Sequence, residues 1–277
     1  MKIGISADST CDLPKELIEK YNIHLTPITI ILGDEERHDG VDVTIDDLYD
    51  YVDKTGQLPK TAALNPAEYE EHFNKVLENY DYCIHFALSF GISSTGTNAR
   101  LQASQMENVY VVDTKSLSTG SGLLILSCLD KIAEGKDVNT IIAEIEAEVE
   151  KTQASFLVDT LKYLHKGGRC SSIALLGANL LKIKPRISLV DGKMEVTKKY
   201  MGSIEKALVK YAKDMLEEVK PNKKRAFVPY SSPVDCIPEI KQMLIDYGFE
   251  EVLESQAGAT ISTHCGKKTL GILYIAE

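Results

Sequence analysis

The feature that most constrains how this chain can fold is the alternation of short β-type runs with helical stretches from end to end. Residues 2–7 predict an opening strand, 14–21 a helix and 25–32 a second strand. Further strands are expected at 82–88 and 109–112, with helices at 94–106, 118–133 and 138–151. In the last of these, Val138, Ile141, Ile142, Ile145 and Val149 share one face at helical spacing. Two helix starts carry their own signals. Thr44 and Asp47 stand at capping-box spacing before an apolar run at 48–52. Asn65-Pro66-Ala67-Glu68 combines a capping Asn, a Pro at the first helical position and a Glu three residues past the cap.

A second block opens near Gln153. It predicts a strand at 156–158, a helical stretch rich in small residues at 161–181, and two β-type runs, 183–190 and 194–198, around Asp191-Gly192. Asp-Gly between two such runs is a hairpin signal, because both turn positions need positive φ. Helices at 204–219 and 234–247 then alternate with strands at 225–230, 251–254 and 269–275, and Ser232-Pro233-Val234-Asp235 is the expected cap of the 234–247 helix. Interleaved strands and helices imply parallel or mixed sheets flanked by helices. The expectation is an α/β protein of two domains, 1–152 and 153–277.

Charge narrows the partners. There are 31 Lys and Arg against 41 Asp and Glu, a net charge of −10, which argues against nucleic acid and against simple docking on anionic membranes. The first residues turn polar too soon for a signal peptide, and no apolar run reaches the ~18 residues of a membrane span, so a cytoplasmic protein without membrane insertion is expected. The six cysteines are scattered, with no C-x-x-C pair, and predict neither a zinc site nor a disulfide framework. Nucleotide motifs fail as well. Gly120-Ser121-Gly122 lacks the third Gly of a dinucleotide fingerprint, and Gly266-Lys267 lacks the upstream Gly of a P-loop, since Ile261 stands there. No cofactor is expected.

Three segments rich in hydroxyls sit where an open α/β sheet presents ligand sites, beyond strand ends and near helix starts. They are Asp8-Ser9-Thr10, Thr61 ahead of the Asn65 cap, and the loop Ser89 to Thr97 with Ser93 and Ser94. Backbone N–H groups and hydroxyls in such loops can receive an anion, although turn chemistry alone also selects Ser, Thr and Gly. His264, in Ser262-Thr263-His264-Cys265-Gly266 before the last strand, reads either as a hydrogen-bonded loop histidine or as a group aimed at the same anion. Gly91-Ile92-Ser93-Ser94-Thr95 approaches a nucleophile elbow but has Thr95 in place of its last Gly. With Asp191 or Asp235 and His264 downstream, a serine hydrolase using Ser93 and His264 is the alternative reading.

Taken in order, these segments resemble the DegV family. Asp8-Ser9-Thr10-Cys11-Asp12-Leu13 is similar to its D-S-T-x-D-L signature, and Asp39-Gly40-Val41-Asp42 to D-G-x-D. Pro59-Lys60-Thr61, the Ser89–Thr95 loop, Val111 to Ser116, Leu161 to Arg169, Ile183-Lys184-Pro185, Asp191-Gly192 and His264-Cys265-Gly266 follow in the family's sequence. The resemblance implies a bacterial, non-enzymatic carrier that binds a long-chain fatty acid such as palmitate. It implies a carboxylate held by Thr61 and Ser93 on the loops of the first domain, with Ser94 beside them and His264 assisting directly or through water. The second domain would supply an acyl tunnel including Ile173, Leu176 and Leu180. Arg169, in the turn Lys166-Gly167-Gly168-Arg169, would face a fatty-acid kinase of the dihydroxyacetone-kinase type. The chain departs from the pattern at Ala62-Ala63-Leu64, where the family commonly has Ser-Gln-Pro, at Ser94 in place of Gly, and at Lys267-Lys268 in place of Pro-Gly. The identity of another apolar acid as ligand stays open at this point.

Overall fold

A computed structural model describes residues 2–171 and 183–277. Its first sheet is parallel and four-stranded, built from β1 (Ile3–Asp8), β2 (His24–Thr26), β6 (Tyr82–Ala87) and β7 (Val109–Asp113) in the order β2-β1-β6-β7. A small antiparallel sheet, β4-β3-β5, joins β3 (Thr29–Leu32), β4 (Glu35–His38) and β5 (Lys60–Ala62). A six-stranded mixed sheet runs β10-β9-β8-β13-β11-β12. Its strands are β8 (Thr152–Leu157), β9 (Ile183–Val190), β10 (Lys193–Met201), β11 (Pro221–Tyr230), β12 (Glu251–Gln256) and β13 (Leu270–Ala276).

Among the described residues, ten α-helices cover and separate these sheets: α1 (Lys15–Tyr21), α2 (Ile45–Thr55), α3 (Pro66–Leu77), α4 (Thr95–Ala103), α5 (Thr119–Ala133), α6 (Val138–Val149), α7 (Lys162–Gly167), α8 (Ile204–Glu218), α9 (Ile237–Tyr247) and α10 (Ala259–Cys265). The order of layers follows from which faces are apolar. α3 and α4 bury Tyr69, Phe73, Val76 and Ala99 against one face of the parallel sheet. α5 lies between that sheet's other face and the six-stranded sheet, so it is buried nearly all round, with Leu123, Leu124, Ile125 and Cys128 enclosed. A helix apolar on every side has to be internal. α8 and α9 close the far face of the six-stranded sheet over Ala226, Val228, Ile272 and Tyr274.

Local signals explain the element ends. Thr44 and Asn65 each form the complete capping box, with Asp47 and Glu68 reaching back to the cap N–H. At the β9–β10 hairpin, Asp191 and Gly192 take φ of 47° and 75°, the two positive values a two-residue turn of this kind requires. Other expectations are corrected. The 25–32 run is two strands in two different sheets, because Pro27 has no N–H to continue a ladder and the chain crosses between sheets there. β4, β5 and α10 stand where no element was expected. The 234–247 helix begins at Ile237 with Cys236 as cap and no side-chain capping bond, so Ser232 to Asp235 precede it as a loop. Ile173, Leu176 and Leu180, expected to line a tunnel, lie outside the described residues.

Candidate functional site

Three segments meet around a cavity of about 250 Å³. β5 brings Thr61, registered opposite the fully buried Ile30 of β3. The loop after β6 brings Ser93 and Ser94. α10 brings His264, which is therefore on a short helix and not in a loop. Arg169 also reaches the cavity, whose remaining wall is mostly apolar and includes Leu88, Ile92, Leu117, Met194 and Ile261. Ala62 and Ala63 line it too, so the departure from Ser-Gln noted in the sequence falls on this wall and leaves it apolar there.

The key contact joins residues far apart in the chain: Thr61 Oγ1 lies 3.0 Å from His264 Nε2. Both residues also line a second, outer groove of about 550 Å³, where Lys60, Lys166 and Arg169 supply positive charge. The Thr61–His264 pair thus stands between a basic groove and a largely apolar cavity. Burial, and then the charge of Arg169, push the His264 imidazole down to about 4, so it is neutral near pH 7. Its Nδ1 is buried with no partner among the described residues. Gly167 closes over it so tightly that a Cβ there would stand 2.7 Å from Nδ1. An unpaired ring N–H in that position would be costly, so we assign the proton to Nε2. Nε2–H then donates to Thr61 Oγ1, and the Thr61 O–H is left free to donate into the cavity.

Buried aspartates hold all three segments. Asp8, at the end of β1, accepts from the Leu88 N–H at 2.8 Å and from the Tyr69 hydroxyl at 2.5 Å. Tyr69 Oη also meets Thr95 Oγ1 at 3.0 Å, and Thr95 Oγ1 accepts from the Leu64 N–H at 3.3 Å. One carboxylate therefore ties down the starts of the Ser93 loop and, through Tyr69 and Thr95, the segment after Thr61. Burial opposes its ionisation, but the contacts with His85, Tyr69 and Leu88 outweigh that and keep its carboxyl below the usual carboxylate range. Asp12 and Asp39 clasp the start of α10: Gly258 N–H donates to Asp12 at 2.8 Å and Ala259 N–H to Asp39 at 2.9 Å. Asp12 also accepts from Ser118 at 2.5 Å, while the Ser255 hydroxyl donates to its backbone carbonyl. Burial raises the Asp12 carboxyl to about 8, with Asp39 adding to the effect.

A hydrolytic triad is not assembled. His264 Nε2 is engaged by Thr61, Nδ1 meets no acid, and Ser93 Oγ accepts from the Thr95 N–H at 3.2 Å. Asp191 sits in the hairpin turn and Asp235 in the loop before α9; neither lines the cavity. Among the described residues, no cluster of His, Cys, Asp or Glu could hold a metal ion.

A family profile described as uncharacterised proteins of the DegV family matches residues 2–277. The chain belongs to the DegV family. A DegV domain-containing protein of Clostridium perfringens is 30% identical over 282 residues, covering all of this chain and 99% of the relative. Among solved structures, a DegV family protein from Thermus thermophilus, described as binding fatty acid, superposes with a TM-score of 0.90 at 27% identity and full coverage of both chains. DegV of Bacillus subtilis, described as a fatty acid binding protein, superposes with a TM-score of 0.87 at 28% identity, again over both whole chains.

The DegV signatures thereby acquire physical roles. Asp8, Asp12 and Asp39, three of the four aspartates of the first two motifs, position the loops and the helix around the cavity and do not line it. Thr61, Ser93, Ser94 and His264 share one cavity, and Arg169 joins them although it was expected only at an outer rim. Sequence reasoning missed Thr260, Leu117 and Met194 as lining residues. Thr260 lies on a helix of seven residues with no periodic signal, and Met194 is a hairpin residue whose position depends on long-range docking. That docking is visible at Ser89, whose hydroxyl donates to the Gly192 carbonyl at 2.6 Å. Lys267 is paired with Asp53 at 2.9 Å and lies over the Tyr49 ring, so this departure ties the turn after α10 to α2.

Proposed function

We propose that this protein binds a long-chain fatty acid and carries it, presenting its carboxylate to a fatty-acid kinase of the dihydroxyacetone-kinase type. The observation that carries the reading is the Thr61–His264 pair placed between a basic groove and an apolar-walled cavity. A carboxylate at that boundary receives hydrogen bonds from Thr61 and Ser93, with Ser94 and Arg169 beside them. His264 acts through Thr61, fixing which way that hydroxyl donates. The acyl chain enters the cavity, where each buried methylene contributes about 0.8 kcal/mol. The block 1–152 supplies the hydroxyls, and the block 153–277 supplies His264, Arg169 and further acyl-facing wall. The fatty-acid binding described for the Thermus and Bacillus proteins supports this reading.

In this role the protein performs no covalent step of its own, and Arg169 and the other groove cations face the kinase from the cytoplasm. Denaturing extraction of purified protein followed by mass spectrometry should recover a long-chain fatty acid. Adding palmitate or oleate to stripped protein should raise its melting temperature. Protein that yields no lipid and shows no shift overturns the proposal. For the carrier step, a fatty-acid kinase with ATP should form hydroxylamine-trappable acyl phosphate only when the loaded protein is present.

A further inference from the structure

α10 sorts its polar side chains between the groove and the cavity. Thr263 lines the outer groove, His264 lines both, and Thr260 lines the cavity alone. Thr260 and His264 are four residues apart, so they share one face of the helix, with Thr260 one turn inside the polar boundary. Thr260 is 4% exposed, yet its Oγ1 has no hydrogen-bond partner among the described residues. The buried hydroxyls of Tyr49, Ser116, Thr119 and Thr263 share that condition, but none of them lines the cavity. A helical Thr can bond back to the carbonyl four residues earlier. Thr260 is the second residue of α10, so the residue four earlier, Gln256, ends β12 and lies outside the helix. The nearer carbonyls of Ala257 and Gly258 accept from the hydroxyl and the N–H of Ser262 instead.

We infer that Thr260 is a hydrogen-bonding subsite for an oxygen on the acyl chain, and that this protein prefers fatty acids hydroxylated on one of the first carbons after the carboxylate. This rests on the fatty-acid reading above and narrows its ligand class. A buried hydroxyl left unpaired is costly, and a plain hydrocarbon chain leaves it so. A ligand hydroxyl can donate to Thr260 Oγ1 or accept from it, which satisfies both groups at once. The helix sets the position of that oxygen. One turn rises about 5.4 Å, a span of only a few carbon–carbon bonds. A chain whose carboxylate sits at Thr61 and Ser93 therefore passes Thr260 near its own polar end. A site built to pair a hydroxyl also disfavours the analogue without one, because the polar group of the site then stays buried and unpaired.

The test compares wild type with Thr260→Val by calorimetry, each with palmitate and with its 2-hydroxy, 3-hydroxy and 16-hydroxy derivatives. Val keeps the shape of the Thr side chain and removes the hydroxyl. The preference for the 2- or the 3-hydroxy acid over palmitate should be about tenfold greater in wild type than in Thr260→Val, the size of one ordinary hydrogen bond. The 16-hydroxy acid, with its hydroxyl at the far end, should show no such difference between the two proteins. Thr260→Ala, which removes the same hydroxyl, should lose the preference as well, and Thr260→Ser, which keeps one, should retain it. The same ratio of hydroxylated to plain acid in every protein overturns the subsite, since a water would then serve Thr260 in all complexes. A difference confined to the 16-hydroxy acid also overturns it, because the oxygen would lie elsewhere along the chain. A wild type that binds none of the four acids instead overturns the carrier reading itself.

Discussion

At the scale of single residues, the polar boundary rests on two groups 203 positions apart, and their pairing was not legible in the sequence. The residue types were. Thr61, Ser93 and His264 stand out as hydroxyls and a histidine near strand and helix ends, but only the folded chain shows that His264 meets Thr61 instead of a carboxylate. Thr61→Val keeps the shape of the wall and removes the hydroxyl. A hydrogen bond to a charged group contributes about 1.5–3 kcal/mol. Fatty-acid affinity, measured by calorimetry, should fall by the corresponding factor, and unchanged affinity would remove Thr61 from the site. Ser93→Ala should weaken binding in the same way while thermal unfolding stays close to wild type. Gly167→Ala tests the histidine from its unpaired side. The added methyl would stand 2.7 Å from Nδ1, and the imidazole is hemmed in. We expect the ring to be displaced and affinity to drop at least as far as in Ser93→Ala, with helix content by circular dichroism retained.

At the scale of elements, legibility tracks how much of an element's stability is local. The two capping boxes and the Asp191-Gly192 turn place their signals within four residues, and all three form as expected. β4, β5 and α10 are four, three and seven residues long. Isolated pieces of that length are not stable, and these are held by tertiary contacts that no local pattern reveals. For α10 those contacts are the Asp12 and Asp39 side-chain oxygens on its first N–H groups. The same logic applies to the loop after β6, which depends on Asp8 and Tyr69. Tyr69→Phe keeps the ring packed against Phe73 and His85 and removes only the hydroxyl. It should destabilise the fold by about 1.5–3 kcal/mol in denaturant, the range for a bond to a charged acceptor. It should also raise hydrogen exchange at the Leu64 and Leu88 amides more than at β7. Exchange that rises evenly over the parallel sheet would mean that Tyr69 supports the core and not the binding loops.

At the scale of the whole molecule, buried titratable groups make stability depend on pH in opposite directions. Burial lowers His264 to about 4 and His72 to about 3. Below the ordinary histidine value of 6.5 the unfolded chain takes up protons at both positions and the folded chain does not, so stability is lost as pH falls from 6.5 toward 4. Asp12 works the other way. Its folded value of about 8 lies above the ordinary 3.8, so between those values the folded chain holds a proton that the unfolded chain has released. Its contribution is fully present below pH 3.8 and is lost as pH rises through 8. From pH 4 to 6.5 the two effects oppose each other, and from 6.5 to 8 Asp12 acts against no buried histidine. Stability should therefore peak near pH 6.5 and decline toward pH 8, with a slope of at most about 1.4 kcal/mol per pH unit for one proton. Asp12→Asn keeps an oxygen for the Gly258 N–H and removes the titration. Urea midpoints at pH 6.5 and 8 should differ in the wild type and coincide in Asp12→Asn. Because Asp12 clasps the helix that carries His264, fatty-acid affinity should weaken over the same pH interval in the wild type and stay level in the variant. A decline that persists in Asp12→Asn would assign the pH dependence to another group and leave the clasp as a fixed support.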